Sequence, residues 1–543
     1  MSTDEIQKEI NNLSLSQNFL EILLHVTRLN LNFNSNTFGS RDVYQTLNEN
    51  EISFLYGYYL KNRHHSNGSV LDFKRASTRL MELMNLYHEN YLPKLGNLNG
   101  QKNFHEAMRT SEANIQETIF YAGSGAYDYQ YVDFVVDKYA QDIAWLKKNK
   151  NFSPDAAKRF FYYVKSLMHY KLNNRERKFS LHEMYSFKID NYVFKKNPEF
   201  LDVLKAFTIA ETEDINNDYN NIYDLNEIKI RPIIQLGNSY YIPISFLLSE
   251  AIYDSPFYWM VADKAYANIA LKNRGIAAEK MVSKILRKKI HSTKILEGVE
   301  LKRSRKETIT DLDICIKENE RMIIFQVKSK RLREISKRGN PETFEEDFKK
   351  AILNANEQAE IAYQPILRNE SYLLDEKSGE KIDISKVNKI YHACLLLDGY
   401  GALTNHTRMF FYEKDYIPIT MSIFDLDIIM EYVKDLDGLF HYFERRTELS
   451  KICFASSELS FFAMYLLNGL NFKEQEKKND EQQMFFIDNS YAQRFDGEYY
   501  VQMMLENKDF LYEIAKSINR NDKCYCGSGK KLKLCCNKIE KDV

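Results

Sequence analysis

Between residues 273 and 397 the hydrophobic period switches from 3.6 to 2 and back, and this order restricts the available architectures more than any other feature of the chain. Val282, Ile285, Leu286 and Ile290 make one stripe of a helix expected over 276–290. Strands are expected over 294–301, 311–317 and 321–330, a second helix over 341–363, and a fourth strand over 389–397. An α-β-β-β-α-β order calls for a mixed sheet covered by helices.

The rest of the chain reads as further domains of a multidomain α+β protein. Its 543 residues exceed a single core, and 44% apolar with 28% charged residues excludes collagen, mucin-like stalks and long coiled coils. Residues 1–224 carry mostly helical patterns and are expected to serve regulation or assembly, with Asn-rich breaks at 30–36 and 97–99. A polar stretch at 211–224 closes that region. A hairpin is expected next, with arms 228–236 and 240–243 about Gly237-Asn238-Ser239, opening a domain over 225–412 whose core is 271–397. Helical patterns return over 413–472, notably 418–432 and 439–449. A linker and helix occupy 473–522, with a cysteine-rich module at 523–543.

No apolar run reaches 18 residues and the N-terminus MSTDEIQKEI has no secretory pattern, so a cytoplasmic protein without membrane contact is expected. A net charge of -1 gives no whole-chain attraction to polyanions. Residues 280–338 differ, with eighteen Lys and Arg against eight Asp and Glu, a density suited to phosphates.

Chemistry-bearing residues gather in the same stretch. Glu279 falls within the apolar stripe of the first helix, where a cation or donor is expected to meet it. Asp313 opens the second strand, with Asp311 on its face two positions earlier. Gln326 and Lys328 share a face of the third strand. Oxygen ligands beside a fixed ammonium suit a hard divalent cation and phosphodiester hydrolysis.

Gly275-(x)3-Glu279, Asp311-Leu312-Asp313 and Phe325-Gln326-Val327-Lys328 resemble the PD-(D/E)XK nuclease superfamily over roughly residues 271–397. The resemblance implies a restriction-endonuclease-like core and a Mg2+ (or Mn2+) site of Asp313, Gln326 and Glu279, with Asp311 as a further candidate. It also implies that Lys328 orients or activates the attacking water. The departure is Gln326, where the commonest pattern has an acid; an amide oxygen ligates magnesium more weakly. Lys349, Lys350 and Gln358, on the second helix, are candidates for DNA contact outside the catalytic set.

Cys524, Cys526, Cys535 and Cys536 crowd the C-terminus, while Cys315, Cys394 and Cys453 lie scattered. Two thiolate pairs eight residues apart, joined through Gly527-Ser528-Gly529, suit tetrahedral zinc. The stretch resembles the SEC-C motif, which implies a structural Zn2+ on those four cysteines and a protein partner docked through the Lys-rich loop. Chelation is expected to melt the tail alone.

The function expected is a metal-dependent nuclease acting on nucleic acid, DNA ahead of RNA, in restriction or anti-phage defence by resemblance. Cutting two strands favours a homo-oligomer. The alternative is a catalytically inactive nucleic-acid-binding scaffold that keeps the nuclease fold and the zinc tail.

Overall fold

The computed structural model describes residues 1–31, 47–90, 111–112, 115–116, 125–174, 178–400, 404, 407, 411, 417–455, 457–472, 485–501, 514 and 516–536. The linker at 473–483, the Asn-rich break at 97–99 and most of the helix expected over 499–518 lie outside the described residues. The chain divides into two compact units. The first comprises Met1–Lys94, Asp128–Ala270 and Gly497–Val543, and the second Leu95–Tyr127 and Leu271–Asp496. No described helix is long and apolar enough to cross a membrane.

In the first unit, helices α1 (Thr3–Ser14), α2 (Phe19–Leu31), α3 (Glu49–Asn62), α4 (Phe73–Glu89), α5 (Asp128–Lys138) and α6 (Pro154–Asn173) lie in the region of expected helical patterns, and α7 (Ser245–Ala262) is a further helix that the sequence reading does not include. Reciprocal caps start two of them, Ser2 with Glu5 and Asn48 with Glu51, each pair satisfying two free backbone donors. Ser153 caps α6, and Pro154 occupies its first position, where no donor is needed. Helix α3 is buried almost all round, and a Cβ at Gly57 would stand 2.2 Å from Tyr219 Cε1, so only glycine admits that ring.

A four-stranded sheet completes this unit: β1 (Ser186–Phe187), β2 (Thr208–Ile209), β3 (Ile233–Leu236) and β4 (Ser239–Tyr241), in the order β1-β4-β3-β2. The β3–β4 hairpin is the expected one, turning at Gly237 with φ +54°. Its first arm begins at Ile233 and not at 228, because the Asn226 side chain caps a helical turn over Glu227–Ile230 ahead of Pro232. Pairing with β1 and β2 joins the hairpin to the helical region, whereas the sequence reading opens a new domain at Leu225.

The second unit is built on a seven-stranded sheet in the order β11-β10-β7-β6-β5-β8-β9. Its strands are β5 (Ile295–Ser304), β6 (Glu307–Glu318), β7 (Arg321–Lys328), β8 (Tyr372–Asp375), β9 (Lys381–Ile382), β10 (Lys389–Leu396) and β11 (Ile419–Ser422). β5, β6 and β7 form an antiparallel meander, and β7, β10 and β11 run parallel. Helix α8 (Ala267–Leu286) precedes the meander. Helices α9 (Pro341–Phe348) and α10 (Asn354–Leu367), joined by a π-helical turn at Lys349–Leu353, make the connection between the meander and the β8–β9 hairpin.

Every residue of β7 from Met322 to Val327 is buried, as expected of a central strand covered on both faces. On one face Cys315 and Ile324 pack with Ala362 and Ile366 of α10, and Cys394 and Leu396 with Ala351 and Ala355. Phe325 meets Phe443 of α12 (Leu436–Glu448) edge-on at 5.7 Å. Each such large apolar side chain contributes about 1.5–3 kcal/mol on full burial.

The sequence reading differs from the structure at three elements. Residues 419–422, expected to be helical, are β11, all four buried, after which Ser422 and Asp425 cap α11 (Ile423–Tyr432). The β8–β9 hairpin was not anticipated. The first helix starts at Ala267 and ends at Leu286, with Ile290 buried beyond it.

Candidate functional site

The ladder between β6 and β7 ends at Ile314 and Phe325. Past that point the strands are stitched by side chains: Asp313 Oδ2 accepts from the Val327 amide at 2.7 Å, and Gln326 Nε2 donates to the Asp311 carbonyl at 3.1 Å. Continued by one residue, the register sets Asp313 opposite Gln326. Alternation then puts Asp311 and Lys328 on the same face of the sheet as that pair. Asp313 and Lys328 therefore share a face.

Gln326 is 1% exposed, and its Oε1 has no hydrogen-bond partner among the described residues. A buried acceptor left unpaired is costly, by about 1–3 kcal/mol, and a cation is one group that would satisfy it. Lys328 is half-buried, and its Nζ donates at 2.8 Å to Oε1 of Gln358 on α10, one of the three DNA-contact candidates, which orients the lysine.

Burial raises the Asp313 carboxyl above its ordinary range; the Val327 amide and Lys328 oppose the shift, and Asp311 adds to it. Glu279 is also raised, by desolvation and then by Asp313, with Lys377 and Lys328 pulling the other way. The field of Asp313 thus acts on Glu279, and that of Lys328 on both carboxyls. Glu279 is nevertheless exposed by area, which corrects the expectation of a buried carboxylate needing a partner. The apolar face of α8 runs through Ala277, Ala278, Met281, Val282 and Ile285, and Glu279 stands beside it at the rim.

Asp311 is exposed. Among the described residues, the four terminal cysteines are the only group of three or more His, Cys, Asp or Glu ligand atoms within 4.8 Å of one another. The acidic residues lie near one another without closing a cage.

Three participants escaped the sequence reading. Lys377, in the β8–β9 turn, is a cation whose field acts on Glu279. Gly298 of β5 stands opposite Asp313, between the pairs Glu297–Ile314 and Val299–Leu312, with φ +57°. Arg274, 3% exposed, donates through Nε to the Ser329 carbonyl at 3.0 Å and through Nη2 to Asp398, fastening the chain just after Lys328 to the helix that carries Glu279. A signal for Arg274 existed, since it falls three, four and seven residues before Ala277, Ala278 and Met281 on one helical stripe.

The basic stretch at 280–338 is largely neutralised within the fold. Lys288 pairs with Asp427, Lys302 with Glu300, Arg303 with Glu307, Arg331 with Asp398, and Lys330 and Arg333 with Asp347. Lys350 pairs with Glu346.

At the C-terminus the four cysteines converge as expected. Cys526 and Cys535 Sγ are 3.3 Å apart, and Cys535 and Cys536 Sγ 3.7 Å. Tetrahedral zinc with bonds of about 2.3 Å implies sulfur separations of roughly 3.8 Å, so this set fits the ion. Hydrogen bonds among the four thiols lower Cys526 and Cys535 and raise Cys524 and Cys536, so the set shares its protons as one group.

The knuckle is seated on the first unit. Lys188 N–H donates to the Gly527 carbonyl at 2.9 Å, Tyr163 OH to the Tyr525 carbonyl at 3.1 Å, and the fully buried Tyr525 ring meets Tyr170 edge-on at 5.9 Å.

Comparison with known proteins gives one match: the SEC-C motif model fits residues 520–538. No curated protein and no solved structure matches the chain.

Proposed function

We propose that the second unit is a metal-dependent nuclease that hydrolyses phosphodiester bonds, DNA before RNA, and that the C-terminal knuckle holds structural zinc. The observation that carries this reading is the fork between β6 and β7, where Asp313, buried Gln326 with its unpaired Oε1, and Lys328 share one sheet face, with Glu279 of α8 within the fields of Asp313 and Lys328. Antiparallel β5–β6–β7 followed by parallel β10 agrees with the element order of the restriction-endonuclease-like core.

Asp313, Gln326 and Glu279 would hold Mg2+ or Mn2+, which supplies Lewis-acid stabilisation of charge on the phosphate when bound. Asp313 Oδ2 is oriented by the Val327 amide, leaving Oδ1 to face a ligand. Lys328, held by Gln358, offers an ammonium to developing negative charge and orients water for attack. Glu279, its carboxyl raised by desolvation and by Asp313, is more basic than an ordinary carboxylate and is suited to accept a proton from water.

A second reading, a nucleic-acid-binding scaffold without catalysis, is favoured by one observation: Asp313 and Gln326 both already stitch the fork, and so have structural roles of their own. Plasmid incubation with Mg2+ or Mn2+ separates the two. Nuclease activity predicts cleavage by wild type that is lost in Lys328→Ala. Cleavage persisting in that variant removes the role assigned to Lys328, and no cleavage by wild type leaves the scaffold.

A further inference from the structure

We propose that the turn Arg305–Lys306, at the tip of the β5–β6 hairpin, binds the sugar-phosphate backbone of duplex DNA roughly 20 Å from the Asp313–Lys328 centre, a reading that rests on the nuclease function above. The tip stands clear of the sheet. β8 accompanies β5 only as far as Lys302, and the β6–β7 ladder ends at Ile314, whereas β5 and β6 continue together to Ser304 and Glu307. Residues 303–308 are all exposed.

The turn's backbone does not restrict its residue types. Two-residue hairpin turns favour Asn, Asp or Gly because their backbone enters the left-handed region. Here the two positions are Arg and Lys, neither with positive φ, and the ladder accommodates them through register shifts at Leu301/Lys302 and Lys302/Ser304. With no left-handed backbone to accommodate, the turn is open to long charged side chains and its backbone does not penalise them.

Their charges are also uncommitted. Lys302 is engaged by Glu300 and Thr308, and Arg303 by Glu307 at 2.6 Å. Arg305 and Lys306 make no ion pair among the described residues. A guanidinium and an ammonium side by side at a projecting tip suit adjacent backbone phosphates and carry no base-reading geometry.

The spacing fits a duplex. β6 runs from the tip through Asp311 to Asp313, and seven residues at about 3.3 Å each amount to roughly 23 Å, or about seven base-pair steps at 3.4 Å. Contact at the tip would then anchor DNA on one side of the cut.

The test uses full-length, zinc-loaded protein, with binding measured in the Lys328→Ala background and turnover in the otherwise wild-type chain. Arg305→Glu with Lys306→Glu is expected to flatten the slope of log affinity against log salt by roughly 2, at about 0.9 per phosphate contact. KM should rise at unchanged kcat. Duplexes extending about seven or more base pairs beyond the cut should bind the parent more tightly than duplexes ending there, and the variant should lose that difference. Arg305→Gln with Lys306→Gln should show about the same loss of salt slope without reversed charge. An unchanged slope while wild type still cuts overturns the tip contact and leaves the nuclease reading standing. A wild type that neither binds nor cuts duplex overturns both.

Discussion

Replacing Gly527 by alanine tests whether the knuckle is an integral part of the first unit or a free tail. At φ +70° an alanine pays roughly 1–2 kcal/mol for left-handed backbone. The new Cβ would lie 2.6 Å from Phe187 Cβ and 3.1 Å from Lys188 N, part of the β1 strand end and unable to swing aside. Relieving that overlap costs about 1–3 kcal/mol. Any retreat also breaks the 2.9 Å hydrogen bond from Lys188 N–H to the Gly527 carbonyl, worth about 1 kcal/mol. The sum is roughly 3–6 kcal/mol.

Gly529 is the internal control. Its φ is +75°, but the nearest atom to an added Cβ is Lys188 Cδ at 3.6 Å, ordinary contact with a flexible side chain. Only the backbone term of about 1–2 kcal/mol applies. Thermal unfolding and zinc release to a chromogenic chelator, measured on both variants, should show Gly527→Ala melting lower and losing zinc faster than Gly529→Ala. Equal behaviour of the two would refute the seating of the knuckle on β1. The same packing alters the expectation for chelation: with Tyr525 buried against Tyr170, metal loss should lower the melting temperature of the first unit and not that of the tail alone.

Three further outcomes are expected. Arg446→Ala should destabilise the second unit by roughly 3–5 kcal/mol in denaturant titrations, because it strands Glu458, a fully buried carboxylate held by Arg446 at 3.0 Å and Tyr442 at 2.6 Å. Gln326→Glu should lower the melting temperature in metal-free buffer by burying a charge and losing the donor to Asp311, yet tighten Mg2+ binding by calorimetry; weaker binding would count against Gln326 as a ligand. Folded Asp313 and Glu279 have raised carboxyls, so their contribution to stability is full below the unfolded values and fades as pH rises through the folded ones. Metal-free wild type should therefore lose stability from about pH 4 upward relative to Asp313→Asn, and Mg2+ should reverse the loss; parallel pH profiles would contradict this.

What the sequence makes legible follows from periodicity and local chemistry. Strand β7 and the helix face of α10 were readable because central strands are long and apolar, and the knuckle because four thiols at that spacing have few uses. β8, β9 and β11 were not: at two to four residues they carry too little pattern, and β11 runs directly into the cap of α11, so its apolar residues blend with the helical period. The candidate site was readable along β6 and β7, where strand alternation fixes which residues share a face. Glu279 was misjudged because one stripe on α8 does not reveal where the helix meets the edge of the sheet. Lys377 and Gly298 enter only through strand pairing across long sequence separations, which one chain's pattern does not encode.

The central claim is that Asp313, Gln326 and Glu279 form an ion site beside the Lys328 ammonium, and Mn2+ titration of zinc-loaded protein followed by electron paramagnetic resonance tests it most directly. The account predicts one saturable Mn2+ site per chain that Asp313→Asn abolishes, while the cysteines retain their zinc. Equal Mn2+ binding by wild type and Asp313→Asn, or none by either, would contradict it.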